Sequence, residues 1–235
     1  MNYYGGASIV SSGEINSMIL IKKSLGGKKN VTIFDVGANL GEYSLLSNSI
    51  FGEDSIIYSF EPSKSTIGFL KENIKIFKNI KPINIGLGSQ NIESELYTYG
   101  KGSKTASIFL PNSGNFNKSS KYTEVISIRT LDDFCKQNKI CEIDLLKIDV
   151  EGYEYSVLMG AETMINSLSI KFIQFEFGKC HIDAKVFFRD FYELLSPKFN
   201  LYRILPDGLY PIKSYTSSLE IFHTSNFLAK LKDNI

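Results

Sequence analysis

A short apolar run that breaks into glycines, VTIFDVGANLG from Val31 to Gly41, leaves few folds open to this chain. Val31 to Val36 is apolar and rich in β-branched residues, the composition of a strand buried on both faces, and it runs straight into a glycine turn and a helix. Gly37 and Gly41 let the backbone bend sharply and approach a ligand with no Cβ in the way, while Asp35 and Asn39 supply polar groups at the strand's carboxyl end. About twenty residues on, Glu61 closes a second apolar strand, IIYSFEP, at the offset where an acid accepts hydrogen bonds from both hydroxyls of a ribose. The spacing is G-x-N-x-G and not G-x-G-x-x-G. A ligand with adenosine and no phosphate therefore fits better than a dinucleotide laid on a helix N-terminus.

The rest of the chain repeats this alternation. Tyr43, Leu45, Leu46 and Ile50 form the inner face of a crossover helix, Ile56 to Phe60 is a strand, and Ile67, Leu70, Ile74 and Phe77 recur at helical spacing before a third strand near Pro82 to Leu87. Strand and helix in turn imply a parallel sheet. A fourth strand, Ile143 to Ile148, ends in Asp149, Glu151 and Gly152; one helix is expected from Val157 to Leu168, and a fifth strand from Lys171 to Phe177. Asp183 is placed to cap the next helix, which carries Phe187, Phe191, Leu194 and Leu195. The remaining segment reads as two strands around the turn Pro206-Asp207-Gly208. Residues 93–130 break the pattern: two alternating stretches flank a polar tip, Pro111 to Lys121, that is either a solvated loop or a substrate lid. Ahead of the first strand, Ser11-x-x-Glu14 has capping-box form and starts a short helix ended by Gly26-Gly27, which either covers a sheet edge or flaps over the site.

DVGANLG, then FEP, then DLLKIDVEGYE followed by VLMGAE, in this order, resemble the FkbM-family methyltransferases. The resemblance runs from about Val31 to SNFLAKL and implies a Rossmann-like α/β fold, an open and mostly parallel sheet with an antiparallel last strand. Because the length suits one core, the resemblance is read over the whole chain, 1–235, as a single methyltransferase domain, with 1–30 as a helical decoration and 93–130 as a β-rich insertion. It also implies S-adenosylmethionine as cofactor and O-methylation of a sugar or related precursor of a surface glycan or secondary metabolite, with a small-molecule or nucleotide-linked sugar as acceptor. Many relatives carry an acid for the adenine amino group near Gly86-Leu87-Gly88; this chain has Ser89 and Gln90 there.

Bulk properties narrow the alternatives. With 43% hydrophobic and 22% charged residues and a formal net charge of +1 over 235 residues, the chain offers no field to attract nucleic acid. No apolar run reaches the roughly 18 residues needed to span a bilayer and the N-terminus lacks signal-peptide form, so the expectation is a cytoplasmic protein without membrane insertion. Self-association into a homo-oligomer stays open. Cys135, Cys141 and Cys180 are odd in number and form no C-x-x-C, the pattern of reduced thiols.

In an open parallel sheet the ligand lies beyond the carboxyl ends of the strands. The expected cofactor-binding residues are Asp35, Gly37, Asn39, Gly41, Glu61 and Asp149. Glu176 ends the apolar run FIQFEF, where an ionised carboxylate needs a partner or a ligand. A sugar hydroxyl is a poor nucleophile and needs a base, for which Glu176, His181 and Glu151 are the candidates, with Glu154 a capping residue and His223 structural. No metal is assigned, although Asp149, Glu151 and Glu176 together offer oxygen ligands to a divalent cation. Two other readings stay open: a nicotinamide-linked oxidoreductase, weakened by Asn39 in the turn, and a cofactor-binding scaffold without turnover.

Overall fold

In the computed structural model, which describes residues 12–98, 107–108 and 122–233, the DVGANLG strand lies near the middle of the main sheet. This strand, β1 (Thr32–Val36), pairs in parallel with β2 (Ile56–Phe60) on one side and β7 (Ile143–Ile148) on the other. Beyond β2 lies β3 (Ile80–Ile83), and beyond β7 lies β8 (Ile170–Phe177), both parallel to their neighbours. Three antiparallel strands extend this edge: β11 (Ser225–Leu231) on β8, then β9 (Phe199–Leu205), then β10 (Gly208–Ile212). The order is β10-β9-β11-β8-β7-β1-β2-β3, and the reversal between β1 and β7 makes the switch point at which such sheets bind ligands.

The helical pattern of the sequence becomes two covering layers. One face carries α1 (Glu14–Ser24), α2 (Glu42–Phe51) and α3 (Ile67–Ile74), whose Ile21, Ile67, Leu70 and Ile74 pack on Ile33, Ile57 and Leu145. The other carries α4 (Leu131–Asn138), α5 (Glu154–Met159), α6 (Glu162–Asn166), the short α7 (Cys180–Ala184) and α8 (Phe188–Leu195). Here Phe34, Phe60, Phe175, Phe177, Phe188 and Phe191 form an aromatic core. Burying side chains of this size contributes roughly 1.5–3 kcal/mol each, so this face dominates the hydrophobic stabilisation.

Several local expectations are corrected. The single helix expected over Val157 to Leu168 is two, α5 and α6, because the chain passes so close at Gly160 that a Cβ there would lie 1.9 Å from the Gly88 carbonyl oxygen. Asp132 then caps the second helix, accepting from Thr163 and Met164 backbone N–H at 2.7 and 3.0 Å. The third strand divides into β3 and β4 (Gly86–Leu87), the latter leaving the main sheet to join β5 (Ile92–Thr98) and β6 (Tyr122–Arg129) in a separate three-stranded sheet. Asp183 falls inside α7, and Asp190 caps α8 by accepting from Phe187 N–H at 2.8 Å. The capping box expected from Ser11 falls partly outside the described residues; Ser12 donates to Glu14 instead. The polar tip Pro111 to Lys121 also lies outside them.

Candidate functional site

A cavity of about 310 Å³ opens at the carboxyl ends of β1, β2, β7 and β8. Its two ends differ in chemistry. Beside Glu61, with polar Asn39 and Thr66, the lining includes apolar Phe60, Pro62 and Leu87, and the small-sheet region adds Leu96, Ile108 and Ile126. The inserted sheet thus forms part of the cavity wall. At the other end stand Glu14, Tyr43, Lys147, Asp149, Glu151 and Glu176, with Thr224 and Asn226 from the antiparallel edge.

The glycine turn shapes the boundary between these ends. Gly37 has φ 82°, and a Cβ there would lie 1.8 Å from the Asp149 carbonyl oxygen, so the end of β7 presses directly on it. Asn39 follows in the left-handed region at φ 48°, which turns its backbone N–H onto Glu61 Oε2 at 2.9 Å. Ser63 N–H donates to Oε1 at the same distance, and the carboxylate is only 6% exposed. Burial pushes the Glu61 carboxyl up to about 7 despite these two donors. Each oxygen keeps a lone pair for a further donor.

At the polar end a lysine that the sequence reading passed over holds the floor together. Lys147 is 5% exposed, with Nζ 3.1 Å from Asp35 Oδ1, 3.6 Å from Asp149 Oδ2 and 5.1 Å from the centre of the Tyr43 ring. Burial works against its charge, but Asp35, Asp149 and Glu14 outweigh it and raise its pKa. Its signal was available, since a lysine inside IDLLKI, buried at every position, requires a carboxylate across the sheet. The register supplies one: Asp35 pairs with Lys147.

Asp35 is therefore not a wall of the cavity. It is fully buried, with Oδ2 accepting from Ser44 Oγ at 2.6 Å and Oδ1 on Lys147, so its part is to hold the lysine. Gly41 also lies away from the cavity lining; it starts α2 at φ 90°, and a Cβ there would lie 2.7 Å from Leu70 Cδ1, so close packing on α3 explains it. His181, expected in a loop above the strand end, lies in α7 at 2% exposure, outside the cavity lining. Its Nε2 is 3.0 Å from Glu154 Oε2, and its Nδ1 accepts from Gly178 N–H. Glu154 in turn accepts from Val150 and Gly152 N–H at 2.8 and 2.9 Å, fastening the turn before α5.

That turn aims Glu151. Glu151 at φ 53° and Gly152 at φ 103° reverse the chain, and a Cβ on Gly152 would lie 2.9 Å from the Cys180 carbonyl oxygen. The Glu151 carboxyl accepts from Cys180 Sγ at 3.0 Å, and burial raises its pKa. Asp149, its side chain 42% exposed toward the cavity, stands beside it. Glu176 completes the cluster; burial first, then the charges of Asp149, Glu151 and Glu154, push its carboxyl up to about 9. Among the described residues no three His, Cys, Asp or Glu side chains group as ligands for a metal ion.

Residues 35–204, which carry this strand, turn and acid, match a family model, the methyltransferase FkbM domain. The chain belongs to the FkbM methyltransferase family. Among curated relatives, "Hexuronic acid methyltransferase AglP" of Haloferax volcanii is 24% identical over 147 residues, 62% of this chain and 56% of that protein. "Methyltransferase 1" of Beauveria bassiana is 24% identical over 145 residues, 55% of this chain and 58% of that one. The chain thus spans a little over half the length of these relatives. Among solved structures, an O-methyltransferase from Bacillus cereus in complex with SAH aligns at TM-score 0.53 and 12% identity, covering 97% of this chain and 84% of that one. An rRNA methylase from Streptococcus thermophilus aligns at 0.51 and 10%, covering 93% of each. At these identities the likeness is one of fold. Glu14, Thr224 and Asn226 lie outside the matched FkbM region yet line the cavity. No helix among the described residues is long and apolar enough to cross a membrane.

Proposed function

We propose that this FkbM-family protein is an S-adenosylmethionine-dependent O-methyltransferase whose acceptor is a hydroxyl of a sugar or nucleotide-linked sugar. The observation that carries the cofactor is Glu61: a buried carboxylate facing the cavity, raised to about 7, with one lone pair on each oxygen still open. A ribose has two adjacent hydroxyls to donate there, and the apolar wall of Leu87, Leu96 and Ile126 suits an adenine ring. When bound, the cofactor supplies an electrophilic methyl on a sulfonium sulfur.

The remaining work falls to the chain's own groups. Glu151 takes the acceptor's hydroxyl proton, because a carboxyl with a raised pKa is the stronger base near neutral pH. Glu176, raised to about 9, is protonated at neutral pH and donates a hydrogen bond to the acceptor, beside Asn226 in the adjacent strand register. The same acids argue for the kind of acceptor. Four carboxyl groups at this end, Glu14, Asp149, Glu151 and Glu176, favour a neutral hydroxyl over an acceptor carboxylate, even though one relative is a hexuronic acid methyltransferase.

Calorimetry with S-adenosylhomocysteine and NADH, followed by transfer of labelled methyl from S-adenosylmethionine to a panel of nucleotide sugars, tests the reading. S-adenosylhomocysteine should bind, NADH should not, and Glu151→Gln should lower turnover about 10²- to 10⁴-fold without weakening cofactor binding. Binding of NADH in place of S-adenosylhomocysteine would overturn it.

A further inference from the structure

Glu14 belongs to the first helix, 21 residues before the matched family region begins, yet it lines the polar end of the cavity at 8% exposure. The helix is fixed there by backbone packing. Gly13 has φ 87°, and a Cβ on it would lie 2.3 Å from the Leu205 carbonyl oxygen; Asn16 Nδ2 donates to the Pro206 carbonyl at 2.8 Å. The start of α1 is thereby docked on the turn between β9 and β10. Two donors set the carboxylate: Ser12 Oγ to Oε2 at 2.7 Å, and Gln174 Nε2 to Oε1 at 2.8 Å. Tyr43 OH donates to Gln174 Oε1 at 3.2 Å, which fixes the amide with its nitrogen toward Glu14. Neutral donors orient this carboxylate but bring it no positive charge.

Charge at this end is out of balance. Lys147 is the cation of the described lining, and it already faces Asp35 and Asp149. Glu14 is thus a further buried acid within electrostatic range of the same lysine, and burial holds its carboxyl above the usual range. The Gly37 carbonyl oxygen, 3.5 Å from Lys147 Nζ, faces the same end. Resting on the cofactor reading above, the geometry supplies a ligand group for this excess. With ribose hydroxyls at Glu61, the cofactor's amino-acid portion, which carries an ammonium, would reach the other end of the same cavity.

We propose that Glu14, together with Asp149 and the Gly37 carbonyl, forms the subsite for the α-ammonium group of S-adenosylmethionine, so that a helix outside the family domain completes the cofactor site. The competing role is mechanical, with Glu14 serving only to tie α1 to Gln174. A pair of ligands separates the two: S-adenosylhomocysteine and its deamino analogue, in which hydrogen replaces the ammonium, each titrated calorimetrically into the wild-type chain and into Glu14→Gln. Glu14→Gln keeps the size of the side chain and can still receive Ser12. The expected result is a loss of about 10- to 100-fold for S-adenosylhomocysteine and less than about threefold for the deamino analogue, the scale of a charge-assisted hydrogen bond. Equal losses for both ligands, or no loss for either, would overturn the proposal. Should Glu14→Gln fail to fold, Glu14→Asp carries the same comparison, with a loss of about 3- to 10-fold expected for the amino-bearing ligand alone; equal or absent losses again count against it. If the wild-type chain binds neither ligand, the cofactor reading itself falls.

Discussion

Glu61 and Glu176 are both carboxyl groups drawn out of water at the ends of parallel strands, and they differ in what surrounds them. Glu61 sits in a turn that points two backbone N–H groups at it, and these partly offset its burial, leaving it at about 7. Glu176 is ringed by Asp149, Glu151 and Glu154, which add to its burial, leaving it at about 9. One is built to accept hydrogen bonds and the other to hold a proton. The sequence shows two acids at two strand ends; the neighbours assign them opposite hydrogen-bonding characters.

The largest expected consequence is in stability against pH. Both groups have folded pKa values above the ordinary 4.5, so between pH 5 and 9 the native state binds protons that the unfolded chain has released, and stability falls as pH rises. For Glu61 alone the loss is on the order of 3 kcal/mol, complete above about pH 7, while that of Glu176 continues to about pH 9. Glu142, held down to about 2 by Lys171 and Lys28, contributes the opposite way, and its share is already complete above pH 4.5. Thermal melts of the ligand-free protein should therefore decline across this window. Glu61→Gln should flatten the decline only below about pH 7, and Glu176→Gln across the whole window to about pH 9; parallel curves for all three proteins would remove the contrast.

Next in size is cofactor affinity. Glu61→Ala should weaken S-adenosylhomocysteine binding by about 1.5–3 kcal/mol, whereas Glu176→Ala should leave it within experimental error. Equal losses in the two variants, measured by calorimetry, would mean that the two acids serve one ligand. The smallest effect separates a proton donor from a base. Glu176→Ala should lower kcat/KM for the acceptor by about 0.5–1.5 kcal/mol at pH 7, and Glu176→Gln, which resembles the protonated acid, should recover most of it. A Glu176→Gln variant slowed 10²-fold or more would restore Glu176 as the base.

Where the information is local, the sequence was readable. The strand, the turn at Gly37 and the acid at Glu61 follow from adjacent residues, and so does the alternation that makes the parallel sheet. The place of Asp35 at a strand's carboxyl end is visible in the sequence while its face partner is not; only pairing with β7 reveals Lys147 beneath it. The surroundings of His181 were likewise not legible. Its partners, Gly178 nearby and Glu154 before the preceding strand, meet only when α7 folds against the turn before α5.

The sequence by itself determined the family, the strand-helix rhythm and which strand ends bear acids, because hydrophobic period and turn chemistry act over a few residues. Tertiary structure decided which of those acids face the cavity, what each one's pKa becomes, and that Glu14 joins them across 160 residues by way of Gln174. Side-chain direction, desolvation and charge proximity depend on register and on helix docking, and these are set between segments far apart in the chain.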